Sequence, residues 1–166
     1  MQERDTKWTP MKALGKAQKE IDALGLPNFK KLEAREDLHF PNISNSDNKE
    51  LEEFLTMYGG YKAYMETKVS DIEAIVGAYE AAFNEGYNTA LHKIVKEYEL
   101  EGLKKPTREE LRGEILTRFD SLKEQKRELI DQQAVLKRMM GLLNTYTTAY
   151  NTVSRVVALR TYGHQV

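Results

Sequence analysis

Three histidines, His39, His92 and His164, are the residues of this chain best suited to metal or acid–base chemistry. None belongs to an HExxH sequence or has a second histidine four residues away, so the sequence predicts no catalytic zinc site. Thr89 stands where a di-metal helical bundle would need the glutamate of a Glu-x-x-His motif. The chain contains no cysteine and no Walker A, GxGxxG or GxSxG sequence. We therefore predict no catalytic, metal-binding or cofactor-binding residues, and a protein that is not an enzyme.

Tyrosine is the other residue type whose placement could serve a function. Five of the nine tyrosines lie near the start of one predicted long helix and the end of another: Tyr58, Tyr61, Tyr64, Tyr146 and Tyr150. Packing in a helical core is the first interpretation. Because tyrosine is enriched at subunit interfaces, the second is an oligomer interface formed by these side chains together with Arg155. Stacking on nucleic-acid bases is the third.

Basic residues near the start of the chain are candidates for contacts with double-stranded DNA. Three of them share one face of a predicted helix and three more follow it: Lys12, Lys16, Lys19, Lys30, Lys31 and Arg35. Residues 1–47 contain 8 basic and 8 acidic side chains, so this block has no net positive charge. A solvated helix surface is the alternative interpretation of the same lysines.

The elements that position these residues follow from the pattern of apolar side chains. The chain has 166 residues, 31% of them charged and only 4 proline, which favours one domain built from long helices. Residues 1–47 are predicted to be an N-terminal helical segment and linker. Thr9 and Pro10 mark the start of a helix that Gly25 ends, and a second short helical stretch is expected over 29–37. The apolar face of the first helix is expected to comprise Met11, Leu14, Ala17, Ile21 and Leu24.

Residues 48–166 are predicted to form a long antiparallel helical hairpin, coiled-coil-like, that serves as an oligomerisation domain. Apolar residues spaced by three and four indicate one helix over about 48–101, and the capping-box pair Thr107 and Glu110 opens a second over about 107–161. The second helix repeats an apolar residue at every seventh position: Ile115, Leu122, Leu129, Leu136, Leu143, Tyr150 and Val157. Its second seam position is poorer, with Gln125 and Gln132 before Met139, Tyr146 and Val153. A tight loop at about residue 104 would make the two helices antiparallel neighbours and bring together residues whose numbers sum to about 208. Gly59 and Gly60 are expected to produce a kink or a close helix contact. The fold class is therefore all-α.

Two segments carry a resemblance to a known family. The sequence IDQQAVLKRMMGLLNTYTTAYNTVSRVVALRT, residues 130–161, resembles the last long helix of some phage small terminase subunits, which ends in an apolar, tyrosine-containing stretch and a Ser-Arg pair, here Ser154 and Arg155. The sequence ELEEFLTMYGGYKAYMETKVSDIEAIV, residues 50–76, is similar to the first helix of their hairpin. Together the two segments cover about a third of the chain.

The resemblance implies a non-enzymatic DNA-packaging protein. Small terminase subunits assemble through a helical hairpin into homo-oligomeric rings, bind double-stranded viral DNA, and regulate the large terminase subunit that carries the ATPase and nuclease. Many members bind DNA through an N-terminal helix-turn-helix module. This chain departs from that pattern, because residues 1–47 yield at most two predicted helices.

Two alternatives stay open beside the terminase interpretation. One is a structural or adaptor coiled-coil protein that binds a protein partner without DNA, and the other is an enzyme with a carboxylate or tyrosine site. No apolar run approaches the roughly 20 residues of a membrane span, and the polar start has no signal-peptide character. We therefore expect no membrane partner and a cytoplasmic location, in the host cytoplasm if the chain is phage-encoded.

Overall fold

Four helices account for most of the computed structural model, which describes residues 9–26 and 46–163. They are α1 (Pro10–Ala23), α2 (Asn48–Leu100), α3 (Arg108–Arg118) and α4 (Asp120–Gly163). Neither described range contains a strand, and the predicted all-α class is confirmed. The short helical stretch predicted over 29–37 lies outside the described residues.

The chain divides into two compact units. Unit 1 comprises Met1–Ala17 and Ile72–Val135, and unit 2 comprises Gln18–Asp71 and Leu136–Val166. Each unit contains part of α1, α2 and α4, and α3 belongs to unit 1.

Helix starts and ends follow the capping residues in the sequence. Asp47 and Glu50 form a capping box at the start of α2: the Glu50 N–H donates to Asp47 Oδ1 at 2.8 Å, and the Asp47 N–H donates to Glu50 Oε2 at 3.1 Å. The predicted capping box of Thr107 and Glu110 is present at the start of α3. Gly102, with φ of +67°, follows α2. There the Leu103 N–H donates to the Tyr98 carbonyl at 3.0 Å, the hydrogen bond typical of a helix ended by glycine.

The predicted helix over about 107–161 is wrong in one respect, because it is two helices separated by Phe119. This residue has φ −117° and ψ 89°, outside the helical region. Its N–H donates to the Ile115 carbonyl, and its own carbonyl accepts from the N–H groups of Leu122 and Lys123, so it ends α3 and begins α4. The Phe119 ring packs against the buried core of unit 1, with Lys93 Nζ 6.0 Å from its centroid. Since no glycine or proline marks the break, packing and not local propensity supports it.

The core of unit 1 lies where α2, α3 and the start of α4 meet. Its buried residues are Ala90, Ile94, Leu111, Ile115 and Leu122. Gly86 permits this packing, because a Cβ there would lie 2.7 Å from Leu122 Cδ2. The bare backbone of α2 is therefore the surface on which Leu122 sits.

Two glycines of α2 should respond differently to alanine. Gly77→Ala is expected to raise the free energy of unfolding by about 1 kcal/mol, because helix propensity improves and nothing lies within 4 Å of the new Cβ. Gly86→Ala is expected to be less stable than Gly77→Ala by at least about 1 kcal/mol, because the new methyl group displaces buried Leu122. Urea unfolding of the two variants measures the difference, and equal stabilities would contradict it.

The buried face of α1 matches the predicted one at Ala17 and Ile21 and differs from it at Met11 and Leu14. Met11 and Leu14 are 74% and 43% exposed, whereas Ala13, Ala17 and Ile21 are buried. In unit 1, α1 contacts α4 through Lys16, whose Nζ lies 3.5 Å from Asp131 Oδ2 and 3.6 Å from Glu128 Oε2.

The buried face of α4 also rotates away from the predicted heptad series beyond Leu129. The predicted positions Leu136, Leu143, Tyr150 and Val157 are only half-buried. The second predicted seam position is buried at Met139, Tyr146 and Val153, and Val135 and Ala149 are buried beside it. A helix of 3.6 residues per turn drifts by about 20° per heptad from a strict seven-residue repeat, so the buried face shifts after three heptads.

Within each unit, α2 and α4 make antiparallel contacts. In unit 2, Gly59 lies beside the Tyr150 ring and the Tyr61 ring contacts that of Tyr146, so the paired numbers sum to 209 and 207. In unit 1, Gly86 and Leu122 sum to 208. Gly59 therefore makes a close helix contact, and α2 runs as one helix through Gly59 and Gly60.

Candidate assembly interface

Four of the five predicted tyrosines come together between α2 and α4 in unit 2. The rings of Tyr61 and Tyr146 are 5.1 Å apart at 45°, and Lys62 Nζ lies 5.6 Å from the centroid of Tyr150. Tyr146 and Tyr58 are buried within a single copy of the chain. Neither therefore reaches the surface at which a second copy would bind, and both occupy the core position that was the first interpretation.

Burial changes the acidity of this tyrosine cluster. Desolvation, with smaller contributions from Tyr61 and Tyr58, raises the pKa of Tyr146 to about 12. Desolvation and then Tyr61 raise the pKa of Tyr58 in the same direction. Burial of the two hydroxyls disfavours phenolate, as expected of side chains that pack in a core.

Alkaline titration should reveal this burial. The folded-state pKa of Tyr146 is raised to about 12, above the value of about 10 in an unfolded chain, so ionisation favours unfolding. The contribution of neutral Tyr146 to the free energy of unfolding is complete below about pH 10 and is lost as the pH rises towards about 12. We expect phenolate absorbance of the folded protein to include a late step near pH 12 that Tyr146→Phe reduces. An unchanged absorbance curve in Tyr146→Phe would contradict the assignment.

The exposed face of α2 in unit 2 carries a second repeat, formed by small residues. Spaced by four and three, they lie opposite the buried residues Leu51, Tyr58 and Met65, and we call them the α2 outer face: Thr56, Gly60, Ala63, Thr67 and Ser70. Thr56 and Thr67 donate their hydroxyls to the carbonyls of Glu52 and Ala63, at 2.9 and 3.2 Å. Their polar groups are thereby satisfied within the helix, so this face could be buried at little cost.

The α4 outer face follows the same spacing. It consists of seven exposed residues: Gly141, Thr145, Thr148, Thr152, Arg155, Leu159 and Tyr162. Thr145 and Thr152 donate to the carbonyls of Gly141 and Thr148, at 3.0 and 2.8 Å. Leu159 and Tyr162 are 65% and 71% exposed, and no charged residue occurs over residues 139–154. A helix surface kept free of charge over four turns is unusual for a solvated face and typical of one that packs.

These two faces were missed in the sequence analysis, although a signal for them was present. Both repeat by four and three, but the α2 outer face and the first four positions of the α4 outer face are glycine, alanine, serine or threonine, which a search for large apolar residues passes over. Only the buried faces of α2 and α4 in unit 2 show that these series point outward.

The remaining predicted interface residues lie at the surface. Tyr64 is 42% exposed beside the α2 outer face, with Lys68 Nζ 5.7 Å from its ring centroid. Arg155 is exposed on the α4 outer face and forms no ion pair with any residue that the structure describes. In contrast, Arg160 donates to the Ser46 carbonyl at 2.6 Å and so links the end of α4 to the start of α2.

The predicted DNA-binding residues are not gathered into one patch. Lys16 is held by Asp131 and Glu128, whereas Lys12 and Lys19 are exposed on α1. Lys30, Lys31 and Arg35 lie outside the described residues. At least one of the three predicted lysines of α1, Lys16, therefore forms ion pairs within the chain.

Comparison with known proteins adds no assignment: no protein-family model matches the chain, and neither a curated protein nor a solved structure was found to be significantly similar. Over residues 9–26 and 46–163, no group of three or more histidine, aspartate or glutamate side chains is arranged to hold a metal ion. No helix in these ranges is long and apolar enough to cross a bilayer. The class defined by the fold is an all-α protein with two outward helix faces of small residues.

Proposed function

We propose that this chain is the subunit of a homo-oligomeric, non-enzymatic scaffold of the small terminase type, which binds double-stranded DNA and regulates a large terminase subunit. The observation that carries the assembly is the pair of outer faces on unit 2. If the chain were a monomer, the α2 outer face and the part of the α4 outer face from Gly141 to Thr152 would expose uncharged side chains to water. Small residues allow two helix axes to approach to about 8 Å, so each face suits another helix.

The α2 outer face of one copy is proposed to pack against the α4 outer face of the next. Both faces lie opposite the buried residues of their helices, so one copy presents them in different directions. A contact between two different faces is head-to-tail, and it produces a ring when the rotation between copies closes.

Charge supports pairing of these unlike faces. In unit 2 the α2 part, residues 48–71, carries five acidic and three basic side chains. The α4 part, residues 136–163, carries four basic and no acidic side chains. Exposed Glu52 and Glu53 on α2 are of the sign that Arg155 of a neighbouring copy would contact. Opposite charges favour the α2–α4 contact over α2–α2 or α4–α4 contacts.

DNA binding is proposed from the resemblance and from the same basic residues. Lys19, exposed on α1, would be repeated in every copy of the oligomer. Repetition converts weak single contacts into useful affinity, because the second and later contacts are intramolecular. Binding through phosphates would weaken steeply as salt increases.

Native mass spectrometry with and without duplex DNA tests the proposal. We expect a closed oligomer of uniform stoichiometry that retains DNA at low salt and releases it at high salt. A monomer or dimer indifferent to DNA would contradict it and would favour the adaptor interpretation.

Glycine substitutions test the interface itself. Gly60→Gln and Gly141→Gln should each dissociate the oligomer, because each places a long side chain where two helices would meet. Neither new Cβ has an atom within 4 Å in one copy, so helix content should be unchanged or slightly higher.

Gly113→Gln is the matched control, because this glycine of α3 also has open space around it and lies on neither outer face. It should leave the oligomer intact. If all three variants form oligomers with the wild-type number of subunits, the outer faces are not the assembly interface.

A further inference from the structure

A groove in unit 1 lies on the side of α3 that faces α2. It encloses about 410 Å³ and is lined by Phe83, Asn84, Tyr87, Arg108, Glu109 and Arg112. This volume falls within the range of small-ligand and side-chain pockets. None of these residues belongs to the proposed assembly faces, which lie in unit 2.

The two arginines of this groove have no carboxylate partner among residues 9–26 and 46–163. Arg108 and Arg112 are one helical turn apart and form no ion pair with any described residue. Arg118, on the same helix, is instead held by Glu97 at 2.7 Å and by Glu114. Carboxylates therefore pair with Arg118 but not with Arg108 or Arg112, so these two guanidinium groups can each donate two parallel hydrogen bonds to a bound carboxylate.

Positive charge is concentrated near this groove. Burial, and then repulsion from Arg112, lowers the pKa of Lys126, which places a second cation within electrostatic reach of Arg112. An anionic group bound between Arg108 and Arg112 would relieve this repulsion.

The other wall of the groove is aromatic. The rings of Phe83 and Tyr87 are 5.8 Å apart at 33° and are half-buried against the unit 1 core. They offer a surface for an apolar side chain beside the two guanidinium groups.

We propose that this groove binds an acidic peptide segment of a partner protein, with a carboxylate on Arg108 and Arg112 and an aromatic or aliphatic side chain on Phe83 and Tyr87. Asn84 and Glu109 favour a peptide over a nucleic acid. The Glu109 carboxylate can accept hydrogen bonds from the N–H groups of a peptide backbone, whereas a phosphodiester backbone has no such donor. The groove is independent of the proposed assembly and would serve either a scaffold or an adaptor.

Fluorescence anisotropy of the full chain with a fluorescein-labelled Gly-Asp-Phe-Asp-Gly peptide tests the proposal. We expect saturable binding at low salt that weakens at least tenfold in the double variant Arg108→Gln with Arg112→Gln. The lysine analogue Gly-Lys-Phe-Lys-Gly should not bind.

The double variant Lys104→Gln with Lys105→Gln is the control, because it removes the same charge from the neighbouring loop and should leave affinity unchanged. Both arginines are exposed, and circular dichroism of the arginine variant should match the wild type. Equal peptide affinity in all variants would overturn the proposal, as would displacement of the peptide by a lower concentration of single-stranded oligonucleotide. The oligomer mass of the same variants, measured by native mass spectrometry, is expected to equal that of the wild type. Peptide binding and assembly are therefore tested independently of each other.

Discussion

Replacing Tyr146 by alanine is expected to lower the free energy of unfolding by about 3–5 kcal/mol, the range for large aromatic side chains removed from a core. Tyr146 is completely buried and is the largest such side chain among the described residues. Its ring packs against Tyr61, and the cavity left by alanine would be lined by α2 and α4 side chains that cannot collapse fully. Urea unfolding of wild type and variant, followed by circular dichroism, measures the loss.

Tyr64→Ala is the matched control, since Tyr64 has the same side chain but is 42% exposed on α2. Its removal should cost less than about 1 kcal/mol of folding stability. Similar losses for Tyr64→Ala and Tyr146→Ala would contradict the assignment of Tyr146 to the core and Tyr64 to the surface.

Replacing Ile94 by alanine is expected to cost about 2–5 kcal/mol for the same reason in unit 1. Ile94 is fully buried where α2 meets α3, among Leu111, Ile115 and Leu122. Because α3 is short, it depends on this packing more than the long helices do. We therefore expect amide hydrogen exchange in α3 to accelerate more than exchange in unit 2.

Ile75 supplies the comparison, because it is an isoleucine of the same helix with 41% of its surface exposed. Ile75→Ala should change the free energy of unfolding by less than about 1 kcal/mol, since alanine also improves helix propensity. If Ile75→Ala proves as damaging as Ile94→Ala, the described packing of unit 1 is wrong.

Substitutions on the two outer faces should affect assembly, and substitutions of buried residues should affect folding stability. Variants such as Gly60→Gln should lower the mass of the native oligomer without reducing helix content, whereas Tyr146→Ala should reduce the free energy of unfolding in any oligomeric state. Measuring both properties on each variant separates an assembly defect from a folding defect.

Candidate site residues were partly accessible from the sequence. The concentration of tyrosines identified a real cluster, and Tyr61 and Tyr146 are in contact. Their burial was not accessible, because a tyrosine at a heptad position serves equally well in a core or an interface. The groove with Arg108 and Arg112 was not found either, since nothing in the local sequence indicates which arginine of α3 has a carboxylate opposite it on α2.

Local sequence by itself determined where most helices begin and end. Pro10 and Gly25 bracket α1, the Asp47 and Thr107 boxes open α2 and α3, and Gly102 follows α2. These signals act through hydrogen bonds and backbone angles within a few residues, so they can be recognised without knowing the fold. The all-α class follows from the same local preferences together with the spacing of apolar residues.

Tertiary structure alone decided which faces are buried and where the second long helix breaks. Phe119 leaves the helical region because its ring packs against a core built from α2, α3 and the start of α4. Of the two predicted seam positions of α4, the one with Tyr146 is buried and the one with Tyr150 is only half-buried, because the helix repeat drifts against the heptad. Met11 lies in solvent because the side of α1 that is buried carries Ala13 and Ala17. In each case the outcome depends on residues far apart in the chain, whose packing overrides the local pattern.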